Sequence, residues 1–317
     1  MGRLSGTTFA HARRLGQSGI LPCRGATARA WQGVGAVIGI IGGTGLYGMD
    51  AFEELEMHTV ATPFGAPSAP VRIGMLGGKR VAFLARHGEH HEYIPSEINF
   101  RANIWALKSL AVRTVIGVSA AGSLRDELRP GDLALPSQYI DATRGLRAAS
   151  FFGHGMVAHI STAEPTCRST ADCIARVARG FGWTLHTDRT YACVEGPRLG
   201  TRAESLMLRG AGADLVGMTN VPEVFLAREA QLGYCTIALV TDYDCWMDDP
   251  ARHATVADVL ALYQANLGRV QQLLAAVVQE QWEGDSRPCR RALHGALVTP
   301  RERLTAAQRE ILAVLES

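Results

Sequence analysis

Short apolar runs alternate along the chain with longer segments of helical period, and the alternation begins at Val37. Val37–Ile41 reads as a buried strand running into Gly42-Gly43-Thr44-Gly45. Pro70–Met75 and Arg80–Ala85 read as strands joined by a hairpin at Gly77-Gly78. Asn99–Leu110 is predicted helical, with Thr114–Val118 as the buried strand behind it. Gly131–Leu135, Thr190–Val194, Asp214–Val216 and Tyr234–Val240 are further predicted strands. Helices are predicted over Thr170–Gly180 with a stop at Gly182, from the capping box Thr201-Arg202-Ala203-Glu204 onward, over Pro222–Gln231 and over Val256–Glu280. A linker from Glu283 to Pro288 then leads to a short helix near Thr305–Leu315. Strands alternating with helices predict an α/β fold: one domain over residues 36–283 with a mostly parallel central sheet flanked by helices. Residues 284–317 form a carboxyl-terminal linker and helix. Ligands of such sheets sit at the carboxyl ends of the strands, so the residues following each strand are the place to search for chemistry.

Composition narrows the class. The 317 residues are 47% hydrophobic and 20% charged, ordinary for a soluble globular protein, and a net charge of +2 gives no nucleic-acid or membrane surface. The most apolar stretch, Gly33 to Met49, is too short and too broken by glycine to span a bilayer. Seven scattered cysteines without a C-x-x-C pair fit a reduced compartment, and a cytoplasmic location is expected. Residues 1–35 carry Arg3, Arg13, Arg14, Arg24 and Arg29, and the first acid is Asp50. That composition fits a transit peptide, but the segment lacks a long amphipathic pattern, which favours a disordered extension or an upstream start codon.

Four strand ends hold candidate chemistry. Gly42-Gly43-Thr44-Gly45 offers close backbone approach and a hydroxyl to an anion, without the spacing of a dinucleotide or P-loop motif. Arg86-His87 offers a guanidinium fork and a further donor to an oxyanion. The neighbouring His90-His91-Glu92 lacks metal-ligand spacing, so no metal is expected. Ser119-Ala120-Ala121-Gly122-Ser123 leaves room for a phosphate held by backbone N–H groups and the Ser119 hydroxyl, although tight packing would select the same small residues. In Thr241-Asp242-Tyr243-Asp244, two carboxylates close together at the end of an apolar strand should raise at least one pKa, giving one proton donor and one acceptor.

Taken in order, these segments resemble the methylthioadenosine phosphorylases of the purine nucleoside phosphorylase superfamily. The resemblance rests on Ile38-Gly39-Ile40-Ile41-Gly42-Gly43-Thr44-Gly45-Leu46, Arg86-His87-Gly88, Asn103-Ile104-Trp105-Ala106-Leu107 and Gly122-Ser123-Leu124-Arg125. It continues through Glu195-Gly196-Pro197-Arg198, Arg202-Ala203-Glu204-Ser205, Met218-Thr219-Asn220-Val221-Pro222-Glu223 and Thr241-Asp242-Tyr243-Asp244-Cys245-Trp246, covering about residues 37 to 280. It implies a single α/β domain with a central mixed sheet, assembled as a homotrimer. The implied reaction is phosphorolysis of 5′-methylthioadenosine to adenine and 5-methylthioribose 1-phosphate, with inorganic phosphate as co-substrate and no metal or organic cofactor. By the same resemblance Thr44, Arg86, His87, Ser119, Ala120 and Thr219 form the phosphate site. Met218 contacts the ribose, and Asp242 and Asp244 face the purine, with Asp242 as general acid toward N7. His159 reaches a neighbouring subunit's 5′ pocket, and Val256 and Val259 line the methylthio side.

The chain departs from the family at three places. Leu199 stands where an aromatic residue often faces the purine, Gly200 where a serine is frequent, and Ser119-Ala120-Ala121 where threonine-alanine-cysteine is usual. These departures keep open a purine nucleoside phosphorylase acting on methylthioinosine, adenosine or 6-oxopurine nucleosides. A hydrolase and a binding protein without turnover are the remaining alternatives; the intact anion set and both acids argue against them.

Overall fold

The computed structural model describes residues 37–43, 46, 52–249, 253, 255–281 and 288–317. The amino-terminal extension, Thr44 and most of the linker after Gln281 lie outside the described residues, and so do the expectations attached to them.

Nine strands form one mixed sheet in the order β2-β3-β4-β1-β5-β8-β7-β6-β9. They are β1 (Val37–Gly42), β2 (Phe52–His58), β3 (Val71–Leu76), β4 (Lys79–Ala85), β5 (Val112–Ser123), β6 (Leu133–Ala142), β7 (Leu185–Val194), β8 (Leu215–Gly217) and β9 (Gly233–Asp242). β9 also pairs with β5, so β5, β8, β7, β6 and β9 close into a ring while β2, β3, β4 and β1 extend from it as an open wing. β4, β1, β5 and β9 run parallel side by side, which brings their carboxyl ends to one edge.

Helices α1 (Phe100–Ser109), α4 (Asn220–Glu229) and α6 (Ala306–Glu316) cover one face, packing Ile104, Val224, Leu226, Leu312 and Leu315 against β-strand residues such as Ile41 and Val115. Helices α2 (Arg168–Gly180) and α5 (Val256–Val277) cover the other, where Ile174, Tyr263, Val270 and Leu273 meet Ile40, Ile116 and Ile237. Burying each such aliphatic side chain is worth about 1.5–3 kcal/mol, so these two clusters are the main source of stability. α3 (Arg202–Gly210), α5 and α6 each open with a full capping box, at Thr201/Glu204, Thr255/Asp258 and Thr305/Gln308. No helix among the described residues is long and apolar enough to cross a membrane.

Several boundaries differ from the sequence reading. β5 runs through the Ser119–Ser123 run, which is strand rather than a loop after it, with a bulge between Ala121 and Gly122. β6 continues beyond Leu135 because Pro136 sits at a register shift, where its missing N–H costs no ladder bond. Gly131 belongs instead to the preceding turn, at φ 95°. β2 carries Glu53, Glu54 and Glu56 on an outer edge, a charged strand without the alternation that identifies one. α4 breaks at Val221, where the residue before Pro222 is extended.

Candidate active site

Arg86 and His87 follow the carboxyl end of β4 and Asp242 ends β9, while Ser119 lies inside β5, paired with Ala238 of β9. Arg86 is buried, 1% exposed. Its Nε and Nη2 donate to the two Glu223 oxygens, both at 2.8 Å. Its Nη1 donates to Val118 O at 2.8 Å, and Nη2 makes a longer contact of 3.4 Å with Ile41 O. Burial opposes the Arg86 charge, but the adjacent Glu223 carboxylate outweighs it and holds the guanidinium above its ordinary value. Glu223 also accepts from Tyr234 Oη (2.8 Å), which accepts from Thr236 Oγ1 (3.0 Å), which accepts from Asn220 Nδ2 (3.1 Å). The sequence reading gave Arg86 to the anion as a two-pronged fork. In the structure the fork grips Glu223, and one Nη1 hydrogen is left over of the five a guanidinium has.

His87 also differs from its expected role. Its Nδ1 lies 2.9 Å from Tyr93 O, and a carbonyl can only accept, so the proton sits on Nδ1. Burial lowers its pKa to about 4, the Tyr93 carbonyl partly opposing and the Arg86 charge assisting. The imidazole is neutral at pH 7, and Nε2 presents a lone pair rather than a donor. The ring stacks on His91 with centroids 4.4 Å apart and planes 6° from parallel, an aromatic contact and not a metal-ligand arrangement. Among the described residues no group of three or more His, Cys, Asp or Glu could hold a metal ion.

Above this floor Ser119 Oγ and Thr219 Oγ1 are 3.3 Å apart, each residue 7% exposed. One hundred residues separate them in sequence, yet β5 and the end of β8 bring them together beside Ala120. Met218 is half-buried next to Thr219 and is held by its carbonyl, which accepts from Arg147 Nη1 at 2.8 Å. Arg147 also donates to Val221 O (2.6 Å), Glu195 O (2.9 Å) and Glu195 Oε1 (2.8 Å). It thereby ties the Glu195-Gly196 loop to the turn that carries Met218 and Thr219.

Asp242 ends β9 opposite Gly122 of β5. A Cβ on Gly122 would come within 2.9 Å of Asp242 Oδ1 and 3.3 Å of Asp244 Cβ, so glycine makes room for both acids. Asp242 Oδ2 accepts from the Thr241 hydroxyl and Oδ1 from Asp244 N–H, both at 2.7 Å. Asp244 adopts φ 51°, a left-handed conformation that aspartate tolerates better than most residues. Burial pushes the Asp244 carboxyl above the ordinary aspartate range; the Asp242 charge adds to this and the Ser205 side chain partly opposes it. The sequence predicts at least one raised carboxyl in this pair, and in the structure burial raises Asp244. The turn is pinned by Trp246, whose indole N–H donates to Ser123 O at 2.8 Å while Arg209 covers its ring.

Asp244 opens onto a cavity of about 120 Å³ whose walls also include Gly200, Ser205, Met207 and Glu195. Leu199 stands beside it, 46% exposed, and Cys245 Sγ touches Gly200 O at 3.5 Å. His253 is near enough to Asp244 for its charge to act there, which brings the start of α5 to the same side; Val256 is 61% exposed and Val259 half-buried. His159 is exposed on a segment bridged to Leu297, and no hydrogen bond or ring contact joins it to this cluster. A second cavity, about 300 Å³, lies between β6, β7 and α2 around Arg168, Asp172 and Asp188; none of the strand-end residues lines it.

The sequence reading missed Arg147, Glu195, Glu223, Tyr191 and Tyr234 as functional supports. Glu195 and Glu223 stood inside quoted motifs without a role, while Arg147 has no local signal because its partner lies 48 residues away. Tyr191 is fully buried close to Ser119, and its hydroxyl lacks a well-formed hydrogen bond.

Residues 37–279 match the model of the phosphorylase superfamily. The S-methyl-5′-thioadenosine phosphorylase of Geobacter sulfurreducens is 42% identical over 88% of this chain and 97% of its own length. That of Thermococcus kodakarensis is 50% identical over 75% of this chain and 90% of its own. A methylthioadenosine phosphorylase crystal structure from an Antarctic soil metagenomic library superposes with a TM-score of 0.82 at 43% identity, covering 88% of this chain and 98% of that one. The Schistosoma mansoni methylthioadenosine phosphorylase in complex with adenine gives 0.78 at 34% identity, covering 83% and 99%.

Proposed function

Because the chain belongs to the phosphorylase superfamily, and within it to the S-methyl-5′-thioadenosine phosphorylases, we propose that it is a pentosyltransferase that cleaves 5′-methylthioadenosine by phosphorolysis. Phosphate forms a bond to C1′ as the bond to adenine N9 breaks, giving adenine and 5-methylthioribose 1-phosphate for purine and methionine salvage. The observation that carries this reading is the hydroxyl pair that Ser119 of β5 makes with Thr219, together with the Asp242–Asp244 pair, which ends the parallel neighbour β9 opposite Gly122 of β5.

The transition state has oxocarbenium character, so the anion must lie in line with the leaving bond, a positioning task for fixed groups. Ser119, Ala120, Thr219 and Thr44 hold the phosphate, with Arg86 supplying charge and one N–H from below. His87 accepts the O–H of monohydrogen phosphate through Nε2. Both dispositions orient an oxygen toward C1′, and the phosphate charge offsets the charge developing on the sugar. Met218 packs against the ribose. Adenine departs more readily once N7 is protonated. Asp242 and Asp244 are coupled through the Asp244 N–H, so the proton delivered to N7 belongs to the pair. The ionised partner accepts from the 6-amino group. A 6-oxo purine would set acceptor against acceptor, so adenine is preferred over hypoxanthine.

The enzyme needs neither metal nor organic cofactor, works as a homotrimer in the cytoplasm, and lends His159 to a neighbouring 5′ pocket whose methylthio side is lined by Val256 and Val259. The exposure of His159 and Val256 supports this assembly. The test is base release from methylthioadenosine, adenosine, methylthioinosine and inosine, each with and without phosphate. Phosphate-dependent adenine release favouring the methylthio compound is expected. Faster hypoxanthine release would overturn the assignment of the acids, and release without phosphate would make the protein a hydrolase.

A further inference from the structure

Cys167 and Cys289 are 122 residues apart in sequence, and their sulfur atoms are 3.3 Å apart. Both are buried, 5% and 3% exposed. Cys167 is the N-cap of α2, and its backbone N–H donates to Tyr234 O at 2.7 Å. Cys289 lies in the 3-10 turn Pro288–Arg291, the first described residues after the linker. That turn is tied to the residues just before β9: Arg290 Nη1 donates to Gln231 O at 3.3 Å, and Leu293 N–H to Gln231 Oε1 at 3.2 Å. A backbone hydrogen bond on the Cys167 side and the Gln231 contacts on the Cys289 side thus hold the two sulfurs at the amino-terminal end of β9, opposite the end that carries Asp242.

We propose that Cys167 and Cys289 form a disulfide on oxidation by a hydroperoxide, covalently stapling the carboxyl-terminal segment to the catalytic domain. The staple closes at the far end of β9 from the candidate active site and is independent of the reaction proposed above. In chemical terms the Cys167 thiolate attacks one oxygen of hydrogen peroxide, giving a sulfenic acid and hydroxide. The Cys289 thiol then attacks that sulfur, and the sulfenic oxygen leaves as water. Overall two thiols and one peroxide yield one disulfide and two waters. The sulfurs need to close from 3.3 Å to a bond of roughly 2.0 Å, a movement within side-chain rotation and slight backbone adjustment.

The surroundings select this pair. The Cys289 thiol donating to Cys167 lowers the latter's pKa to about 4 against the opposing effect of burial, with Ser169 and Thr170 assisting, so the attacking sulfur is Cys167. Cys235, the other buried thiol near Cys167, is pushed up by burial and stays protonated. The cross-link would tie down Pro288–Arg291 and, through it, the stretch whose Ala296 carbonyl accepts from His159 N–H at 2.9 Å.

The test is hydrogen peroxide treatment of the full-length enzyme, alkylation with iodoacetamide under denaturing conditions, and a non-reducing peptide map. The expected product joins the Cys167 and Cys289 peptides, two hydrogens lighter than their sum, and dithiothreitol reverses it. Oxidation should raise the melting temperature by roughly 5–10 °C, as expected for closing so long a loop. Cys289→Ser and Cys289→Ala should lose both the cross-link and that shift while keeping wild-type phosphorolysis under reducing conditions. Alkylation of both cysteines after peroxide treatment, or a Cys167–Cys235 product instead, would overturn the proposal. A cross-link that forms without changing thermal stability would overturn the stapling role.

Discussion

The two sides of the candidate site are built on opposite principles. On the phosphate side, Arg86, Glu223, Tyr234, Thr236 and Asn220 form a buried chain of hydrogen bonds supplied by the protein. On the purine side, Asp244 is raised by burial, Leu199 and Val256 expose apolar surface, and the cavity next to Asp244 is open. The first side is prepaid in the folded protein. The second holds Asp242 through Thr241 and the Asp244 N–H but turns a raised carboxyl and exposed apolar side chains toward a cavity. Substitutions should therefore separate: those on the phosphate side strike the fold and the reaction together, those on the purine side the reaction alone.

The largest effect is expected at Arg86. Truncation to alanine strands the Glu223 carboxylate, which is fully buried, and removing one partner of a buried pair costs about 3–5 kcal/mol. Thermal or urea unfolding of Arg86→Ala should show that loss, with activity falling alongside it. A variant that melts like wild type and differs only in its phosphate saturation would return Arg86 to the simple anion-binding role and erase the contrast between the two sides.

Next come the acids. Asp242→Asn and Asp244→Asn should each lower turnover by about 10²–10⁴, the usual contribution of a positioned proton donor, while leaving the melting temperature close to wild type. For Asp244 the sign of the pH dependence follows from its raised pKa. If its proton is the one delivered, kcat/KM falls as pH rises through that pKa, and the falling limb disappears in Asp244→Asn. If the limb persists there and vanishes in Asp242→Asn, the pair's working proton resides on Asp242.

His87 gives a smaller but sharper test. A pKa of about 4 means that its imidazole stays neutral from pH 5 to 8, so phosphate affinity in that range should change only with the ionisation of phosphate itself. An NMR titration of the His87 ring should find Nδ1 protonated and Nε2 bare at pH 6. A midpoint near the ordinary histidine value would mean that a cation meets the phosphate there, and the lone-pair reading would fall.

Much of this arrangement was legible in the sequence because it is local. The apolar runs of β1, β4, β5 and β9 mark their own strands, and these four run parallel side by side with their carboxyl ends on one edge. What escaped is long-range or locally atypical. Arg86 and Glu223 are separated by 137 residues, so no spacing reveals that the guanidinium is already spoken for. β2 is charged because it lies on an edge, and β6 conceals its length behind Pro136. The two acids are visible as a pair because they are two residues apart, but the burial of each is a three-dimensional property. Ser205 and His253, which act on Asp244 against that burial, do not adjoin the pair in sequence either.

The smallest expected effect lies at Leu199, and it tests the purine side most cleanly. The side chain is 46% exposed beside the cavity that Gly200 and Asp244 line, and burying it can add little to the stability of the ligand-free enzyme. Leu199→Phe would restore an aromatic face to a bound purine, and stacking of that kind is worth about 0.5–1.5 kcal/mol beyond area burial. The nucleoside KM should then fall by roughly 2–10-fold, with phosphate KM and melting temperature unchanged. A fall in phosphate affinity or in stability would show that the two sides are coupled through the Glu195–Gly200 loop, which Arg147 ties to Met218. An unchanged nucleoside KM would mean that the purine is gripped at its edge by the acids and that its face is bound elsewhere.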